Sequence, residues 1–271
     1  MTGNLITVDR DKCIRCGICV ECCPSCILSM ANDGPVCDNE RGCMGCGHCV
    51  AICPAGAMDN KYAPLQNQRA AAENLPSSDM LYEALRSRRS VRNFKNVAPS
   101  EEELRSLLEI CRYAPTATNS QGIYYLVLRD KEKIQTVAEH VVTWMEEAVA
   151  ANLPGSKYFA LAIQAYRTRG VDIICRNAPC LIIALARRVS RTGFSNAEMC
   201  MAYASVYAPS LGLGTTIAGF VEHCGQADYK PLLDFLDVPA KQIIVGAMMV
   251  GYPKYKYRRL PERQHLKVEF K

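Results

Sequence analysis

The stretch CIRCGICVECCP, residues 13–24, decides the fold of the first part of this chain. Its cysteines have the spacing C-x2-C-x2-C-x3-C-P, and the same spacing returns thirty residues later in CMGCGHCVAICP, residues 43–54. Eleven of the sixteen cysteines fall within the first 53 residues. A secreted disulfide scaffold would instead spread its cysteines through a small chain. The crowding at one end therefore favours metal ligands.

The two stretches resemble the bacterial two-cluster ferredoxins, in which the fourth cysteine of each motif binds the other cluster. The resemblance covers about residues 4–61 and implies a compact pair of β-hairpin and helix units around two [4Fe–4S] clusters. Closely spaced thiolates can wrap a cubane, the glycines admit backbone N–H groups to the sulfurs, and the prolines turn the chain away. Cluster one is assigned to Cys13, Cys16, Cys19 and Cys53. Cluster two is assigned to Cys43, Cys46, Cys49 and Cys23.

Two other metal chemistries fit parts of this pattern. Pairs of C-x2-C also suit tetrahedral zinc, but zinc gives no reason for three evenly spaced cysteines followed by Cys-Pro, twice. Cys19, Cys23 and Cys26 have the C-x3-C-x2-C spacing of radical-SAM enzymes, which is a coincidence because the duplication already uses the first two. Cys22, Cys26 and Cys37 are left over, and we expect them to be small buried residues beside the clusters.

The composition of the chain is that of an ordinary globular protein. It has 271 residues, of which 49% are hydrophobic and 22% charged, with a formal charge of +5. No secretory signal precedes the first cysteines, and the longest apolar runs are far shorter than the ~20 residues that span a bilayer. We expect a soluble cytoplasmic protein that is not an integral membrane protein.

The pattern changes after Met58. Residues 59–78 are polar, contain two prolines and no cysteine, and read as a surface linker in which Gln68–Asn74 could form a helical turn. We predict a ferredoxin domain at 1–61, a linker at 62–78 and a second domain at 79–271. Residues 1–60 carry seven acids against four bases, whereas the rest carries 20 acids against 28 bases. The basic second part is expected to bind something anionic.

Helices and strands alternate in the second part of the chain. A helix beginning at Ser78, which can cap it, carries Met80, Leu81, Ala84 and Leu85 on one face. Ser100 and Glu103 form a capping box that opens another helix. Further predicted elements are a strand at 123–128, a helix at 131–151, a strand at 180–186, a helix at 196–211 and a strand at 242–251. No G-x-G-x-x-G motif follows a strand and no P-loop is present, so nucleotide chemistry would need another scaffold.

Four segments of the second part contain basic residues, hydroxyl-bearing residues or glycines, which tolerate unusual backbone conformations. RSRRSVRNF, residues 86–94, offers guanidinium groups around a serine, a combination that can clamp a phosphate, although basic residues at a helix C-terminus are also often only solvated. APTATNSQ at 114–121 is a turn-forming stretch before a strand, and GLGTTIAG at 212–219 combines glycines with hydroxyls. GYP at 251–253 is followed by several arginines.

In this order, the four segments resemble the nitroreductase family over about residues 79–271. The resemblance implies an α+β fold, a homodimer, and FMN bound at the subunit interface. It places Arg88, Arg89, Ser90 and Arg92 at the phosphate and ribityl chain, and Ala218 and Gly219 at the isoalloxazine with their backbone N–H groups. It places Pro115, Thr116, Ala117 and Asn119 beside the flavin of the partner subunit. Arg259 or Arg263 would complete the phosphate site, and a polar residue near Asp172–Asn177 would contact the ring.

These resemblances predict an FMN-dependent oxidoreductase with two [4Fe–4S] clusters. Electrons would pass from a donor such as reduced ferredoxin through the clusters to FMN and on to an oxidised organic acceptor, such as a nitroaromatic or a quinone. Two alternatives stay open: an NAD(P)H-linked flavin reductase with the clusters as outlet to a redox partner protein, and an electron-transfer module without its own substrate. The bases and tyrosines at 254–259 are too few to indicate nucleic-acid binding. No catalytic acid or base is identified, and His48, between cluster ligands, is expected to tune the cluster environment.

Overall fold

The computed structural model describes residues 4–271, which form two compact units. The first unit comprises the residues up to Leu75 together with Ala117–Ser120, and the second comprises Pro76–Thr116 and Gln121–Lys271. In the described part of the chain, no helix has the length and apolar character needed to cross a bilayer. The domain boundaries at 61 and 79 stay a prediction.

The first unit is built from short strands and one-turn helices in two similar halves. Strands β1 and β4 pair antiparallel, as do β2 and β3, so that each half supplies one strand to the β1–β4 pair. A small core forms around Leu5, Leu28, Val50 and Met58. The elements are β1 (Ile6–Val8), α1 (Ile18–Glu21), β2 (Leu28–Ala31), β3 (Gly34–Cys37), α2 (His48–Ala51) and β4 (Met58–Asn60).

The segment after β4 differs from the linker prediction in one detail. A 3-10 turn forms at Leu65–Asn67. Residues 68–74 contain no helix, so the predicted helical turn there is wrong. The side chain of Gln68 is used instead to donate to the carbonyl oxygen of Ala63 at 2.9 Å, which ties this segment back onto the first unit.

The second unit is a four-stranded antiparallel sheet covered by helices on both faces. The elements are α3 (Ser78–Ser87), α4 (Glu101–Glu109), β5 (Ile123–Leu128), α5 (Lys131–Ala150), α6 (Ala160–Arg169), β6 (Cys180–Arg187), α7 (Gly193–Tyr207), β7 (Gly214–Ile217), α8 (Gly219–Gln226), α9 (Lys230–Phe235) and β8 (Gln242–Gly251). The strand order is β5-β6-β8-β7. This arrangement confirms the predicted α+β class.

Strand β6 shows why the sheet is covered on both faces. Side chains alternate between the two faces of a strand. Leu181, Ile183 and Leu185 belong to the core that contains α5, α8 and α9. Cys180, Ile182, Ala184 and Ala186 belong to the core that contains α4 and α7. Seven of the eight residues of β6 are therefore buried, and the run reads as continuously apolar in the sequence.

Several predicted elements are confirmed and two details are corrected. The capping box is present, with Ser100 Oγ accepting from the Glu103 N–H and the Glu103 carboxylate accepting from the Ser100 N–H. The N-cap of α3 is Ser77 and not Ser78, because Ser77 Oγ accepts the N–H of Met80 at 3.2 Å. The predicted helix at 196–211 begins earlier, at Gly193, and its last turn is a 3-10 turn at Ala208–Leu211. The apolar face of α3 is exposed along its whole length.

Candidate functional site

Two quartets of cysteine surround two separate cavities in the first unit. The first quartet lies around one cavity and consists of Cys13, Cys16, Cys19 and Cys53. The second quartet lies around the other cavity and consists of Cys23, Cys43, Cys46 and Cys49. Each quartet takes three cysteines from one motif and one from the other, which is the assignment predicted from the repeat.

The glycines and helices of the two motifs position these thiols. Gly17 and Gly47 occupy the left-handed region, with φ of 78° and 73°, immediately before α1 and α2. Side chains are strained in this conformation, so glycine is favoured there. One backbone N–H reaches a sulfur in each quartet: Gly45 N lies 3.4 Å from Cys43 Sγ, and Ala57 N lies 3.3 Å from Cys53 Sγ.

The geometry suits a cluster better than a single zinc ion. Within residues 4–271, no three cysteine, histidine or carboxylate side chains converge closely enough to hold one metal ion. The thiols instead line cavities, as ligands of a cubane must. Burial raises the pKa of Cys49 to about 11, so this thiol is protonated until a metal displaces its proton. The donor set, four cysteines in each of two quartets, therefore fits two [4Fe–4S] clusters.

The three remaining cysteines of the first unit do not form a group. Cys22 is half-buried, and its thiol donates to the carbonyl oxygen of Cys19 at 3.4 Å. Cys37 is half-buried at the end of β3. Cys26 is exposed with a φ of 49°, so the expectation that it is a buried residue is wrong.

A cavity of about 380 Å³ lies in the second unit beside β7. Arg88 and Ser90 line it together with Thr215 and Thr216. Ser90 reaches this position because residues 90–91 add to β7: Ser90 forms an isolated parallel bridge with Thr215, and Val91 N donates to Thr215 O at 2.9 Å. The RSRRS and GLGTT segments, distant in the sequence, are thus brought to one cavity.

Arg89 points to the other side of the same segment. It lines a second cavity of about 680 Å³ with Lys95, Lys254 and Lys256. The guanidinium lies 5.6 Å from the ring centre of Tyr257. Among residues 4–271, Arg89 Nε is buried and has no hydrogen-bond acceptor. A buried donor without a partner is costly, so this atom fits an anionic group such as a phosphate.

The start of α8 contains the two residues predicted to face the isoalloxazine, Ala218 and Gly219. The N–H of Ala218 donates to the carbonyl oxygen of Ala247 at 2.8 Å, so the sheet already uses this group. Gly219 is the first residue of the eight-residue α8, where backbone N–H groups lack partners within the helix. Apart from Gly219 itself, its chain neighbours and the backbone of its helix, no heavy atom of the described residues lies within 4 Å of the position that a Cβ of Gly219 would take. The assignment of the Ala218 and Gly219 N–H groups to the isoalloxazine stays a prediction, and of the two the Ala218 N–H is the one that already has an acceptor.

Arg92 and Arg176 form a pair of like charges that the sequence did not reveal. Burial lowers the pKa of Arg176, and the charge of Arg92 lowers it further. Arg176 has a φ of 53° in a loop held by Asp172, whose carboxylate accepts the N–H groups of Ile174, Cys175 and Asn177 at 2.8–3.0 Å. Asp172 is therefore occupied by its own loop. Arg176 is a half-buried cation of this region whose charge adds to that of Arg92.

Among the described residues, those that line the two cavities include none from the predicted loop at 114–121. Pro115 is exposed, and Thr116 Oγ1 accepts the N–H of Gln121 at 3.1 Å. Ala117 and Asn119 belong to the first unit, where Asn119 Nδ2 donates to the carbonyl oxygens of Met44 and Gly45 at 3.2 and 3.1 Å. The assignment of these residues to a partner's flavin stays a prediction.

The C-terminal arginines lie in a tail that has neither helix nor strand. Arg259 and Arg263 are exposed, and neither lines the two cavities of the described chain. The tail is nevertheless tied to the basic segment, because Arg86 pairs with Glu262 at 3.0 Å and Tyr257 Oη donates to the Ser90 carbonyl oxygen at 3.5 Å. The choice between the two arginines as phosphate ligand stays open.

Glu222 is a second residue that sequence reasoning missed. It lies on α8 and lines the cavity of Arg88 and Ser90, where one carboxylate oxygen accepts the N–H of Ala247 at 2.9 Å. Burial raises the pKa of this carboxyl. No motif in the sequence indicates that Glu222 is buried in a cavity, because a glutamate on a short helix is ordinarily solvated.

Two family models match this chain. The nitroreductase family matches residues 85–252, and a 4Fe–4S dicluster domain matches residues 5–54. The chain is 22% identical to the FMN reductase [NAD(P)H] of Bacillus subtilis over 184 residues, which are 66% of this chain and 69% of that protein. It is 24% identical to the iodotyrosine deiodinase of Thermotoga neapolitana over 183 residues, which are 66% of this chain and 94% of that protein.

Solved structures show the same fold. A nitroreductase with bound FMN from Bacteroides fragilis aligns with a TM-score of 0.57 and 18% identity, covering 70% of this chain and 98% of that one. A nitroreductase with bound FMN from Desulfitobacterium hafniense aligns with a TM-score of 0.56 and 19% identity, again covering 70% and 98%. The family match spans more than half of the residues, the four-stranded sheet agrees, and the two cysteine quartets occupy the segment before it. The chain therefore belongs to the nitroreductase family and carries a 4Fe–4S dicluster domain ahead of its nitroreductase domain.

Proposed function

We propose that this protein is an iron–sulfur flavin oxidoreductase. Electrons from a donor such as reduced ferredoxin would enter through two [4Fe–4S] clusters, reach FMN, and leave to an oxidised organic acceptor such as a nitroaromatic or a quinone. The observation that carries the proposal is that one chain holds both two cysteine quartets and an anion-receptive basic cavity in a nitroreductase fold. Clusters carry single electrons, whereas FMN exchanges electrons singly or in pairs.

FMN binding is supported by the chemistry of the residues around the two cavities. Arg88, Ser90 and Arg89 would hold the phosphate and ribityl chain, since guanidinium and hydroxyl groups donate strong hydrogen bonds to phosphate oxygens. The orphaned Arg89 Nε would gain its acceptor in this way. Gly219 would offer its N–H to the ring. Arg92 would join the other two arginines at the phosphate and ribityl chain, and Arg176, which interacts with Arg92, would add positive charge to the site.

A homodimer with FMN at the subunit interface is part of the proposal. Helix α7 exposes Phe194, Met199, Tyr203 and Tyr207 although its opposite face is buried in the core. Exposed apolar residues in such number on one helix commonly mark an interface. Pro115, Thr116, Ala117 and Asn119 would then approach the partner's flavin.

One alternative has a specific observation in its favour. The relative from Bacillus subtilis is named FMN reductase [NAD(P)H], which supports a role in which a nicotinamide reduces FMN and the clusters carry electrons out to a partner protein. The two roles differ in the order in which the centres are reduced. A third possibility is an electron-transfer module without a substrate of its own. Small organic acceptors would not reoxidise such a module.

Composition and reoxidation test the proposal together. Anaerobically purified protein should contain about eight irons and eight sulfides per chain, from two four-iron clusters, and one FMN. After reduction, a nitroaromatic or a quinone should reoxidise the protein faster than it reoxidises an equal concentration of free FMN. Zinc in place of iron, or iron without flavin, would contradict the proposal. Reoxidation no faster than free FMN would favour the module without a substrate.

A further inference from the structure

Asn60 is a buried polar side chain beside the second cysteine quartet. It is the last residue of β4, is only 2% exposed, and lines the same cavity as Cys23, Cys43, Cys46 and Cys49. Buried amides need hydrogen-bond partners. The hydrogen-bond partners of the Asn60 side chain therefore indicate its role beside this quartet.

The orientation of the Asn60 amide is fixed by the backbone. Its Oδ1 accepts the N–H of Tyr62 at 2.8 Å, and its Nδ2 lies 3.6 Å from Cys43 Sγ. The opposite orientation would place the NH2 group against the Tyr62 N–H, with two donors facing each other. Asp59 holds the turn in place, because its Oδ1 accepts the N–H groups of Asn60 and Leu65 at 2.8 and 2.9 Å. The NH2 group is therefore held toward the sulfurs.

The internal repeat shows that the first quartet lacks this feature. Asn60 follows Cys53 by seven residues, and the residue seven positions after Cys23 is Met30. Met30 is 41% exposed and has no N–H donor in its side chain. Among residues 4–271, the hydrogen bonds to the sulfurs of the first quartet include none from a side-chain N–H, and the nearby guanidinium of Arg10 donates to the carbonyl oxygen of Asp33 at 3.0 Å. Backbone N–H groups reach both quartets, since Gly45 N lies near a sulfur of one and Ala57 N near a sulfur of the other.

We propose that Asn60 makes the two clusters unequal, by donating an N–H hydrogen bond that raises the reduction potential of the cluster held by the second quartet. Reduction adds negative charge to a cluster and its thiolates, and a hydrogen-bond donor to sulfur stabilises the reduced form more than the oxidised form. Asn60 is a positioning residue in this role, because it acts through Cys43. The inference rests on the part of the proposed function that assigns [4Fe–4S] clusters to the two quartets.

A redox titration of the full-length protein, prepared anaerobically and followed by the EPR signals of the reduced clusters, tests this role. The wild-type protein should show two one-electron steps. In Asn60→Ala, the step at higher potential should move to lower potential, and the electron partition between the clusters should change about tenfold, the equivalent of 59 mV for one electron. Met30→Ala is the matched control in the repeat and should move neither step.

A second variant separates hydrogen bonding from a packing defect. Asn60→Asp keeps the shape of the side chain and an acceptor for the Tyr62 N–H, but it removes the NH2 donor and adds a negative charge. It should therefore lower the same step at least as far as Asn60→Ala. In a Cys53→Ala background, which removes a ligand of the first quartet, the remaining step should be the one that Asn60 variants move.

Three results would overturn the inference. Potentials that do not change in either Asn60 variant, at full iron content, would show that the amide does not tune a cluster. Movement of the lower step would place the donor at the wrong cluster. Loss of about four irons per chain in both variants would give Asn60 a role in cluster assembly in place of tuning. Failure of the proposed function itself would be seen separately, as a wild-type protein without iron or flavin.

Discussion

At the scale of single residues, the basic segment offers guanidinium groups to two cavities on its two sides. Arg88 lines the cavity with Ser90 and the two threonines, and Arg89 lines the one with the tail lysines. Arg89 Nε finds no acceptor among residues 4–271. One buried donor, Arg89 Nε, thus lacks an acceptor within the described chain, which is how a preformed anion site differs from a solvated basic surface.

Replacing Arg88 with alanine tests this site. Loss of a charge-assisted hydrogen bond costs about 1.5–3 kcal/mol, so we expect FMN affinity to fall by at least about tenfold. The iron content of the same protein should not change, since the cysteine quartets lie in the other unit. Flavin and iron analysis of one preparation measures both quantities.

The matched control is Arg105→Ala on α4. Arg105 is an exposed arginine that pairs with Glu101 at 2.6 Å on the same helix, and an exposed pair of this kind contributes little to stability. This variant should retain FMN like the wild type. If Arg88→Ala also retains FMN like the wild type, the phosphate assignment is wrong.

Glu222 is a carboxyl group whose environment disfavours its charge. Burial raises its pKa above the ordinary value of 4.5, while the hydrogen bond from the Ala247 N–H partly opposes the shift. The native state thus holds its proton to higher pH than the unfolded state does. The free energy of unfolding must then fall as the pH rises from about 4.5 through the raised folded pKa, and it stays lower above that pH.

Glu222→Gln should therefore stabilise the protein at neutral and higher pH. Glutamine keeps an oxygen that can accept the Ala247 N–H, but it carries no charge to desolvate. Calorimetry of both proteins should show a Tm for the variant that is higher at pH 8, by about 2–4 °C for each kcal/mol, and a difference that vanishes toward pH 4. A Tm difference of the opposite sign at pH 8 would show that the ionised carboxylate is stabilising.

At the scale of elements, β7 determines where the basic segment lies. Residues 90–91 pair with Thr215, and Gly214 allows this close approach. A Cβ at Gly214 would lie 2.5 Å from Val91 Cγ2 and 3.0 Å from Pro253 Cγ. Valine is stiff about χ1 and cannot move away at little cost.

Gly214→Ala should thus displace the segment that carries Arg88 and Ser90. We expect a loss of stability of about 1–3 kcal/mol, the usual cost of overpacking, together with weaker FMN retention. Iron content serves as the internal control, because this change lies outside the first unit. Wild-type FMN affinity in Gly214→Ala would show that the position of the basic segment does not matter for the flavin.

Whether an element could be predicted depended on where its signal lies. The apolar runs of β5, β6 and β8 and the capping box of α4 are local signals, and the predictions there are confirmed to within one residue. Helices α6, α8 and α9 are short or weakly patterned, and no prediction covered them. The apolar stripe of α3 predicted a helix correctly, but its side chains are exposed because the periodicity of a sequence does not say what covers a face.

At the scale of the whole molecule, the repeat of the first unit predicts which cysteines bind the same cluster. Cys53 lies in the second motif, yet it lines the cavity of the first quartet with Cys16. Cys46 lines the other cavity. The pairing of cysteines into quartets can be tested by combining substitutions.

Cys53→Ser should leave about four of the eight irons. Adding Cys16→Ser should remove no further iron, because both cysteines serve the same cluster. Adding Cys46→Ser to Cys53→Ser should remove the remaining irons. Iron analysis and EPR of the reduced variants measure the number of clusters that remain. If the double variant with Cys16→Ser lost all iron and the one with Cys46→Ser lost no further iron, Cys53 would belong to the quartet of Cys46.

More of the cluster site than of the flavin site could be predicted from the sequence. The eight cysteine ligands have a spacing that can be recognised in the sequence. Arg176 and Glu222 belong to no motif, and only the fold brings them to the candidate flavin site. The N–H of Ala218 looked available in the sequence, but the sheet uses it through Ala247. Long-range partners of this kind are fixed by tertiary packing and leave no local pattern.

The central claim is that electrons pass between the two clusters and a flavin bound by the same chain. Anaerobic stopped-flow mixing of the oxidised protein with a one-electron donor such as reduced ferredoxin tests it most directly, with cluster and flavin absorbance recorded together. The clusters should bleach first and the flavin should follow, at a rate that does not depend on protein concentration. Flavin that stays oxidised beside reduced clusters, or that is bleached by NADPH ahead of the clusters, would contradict it.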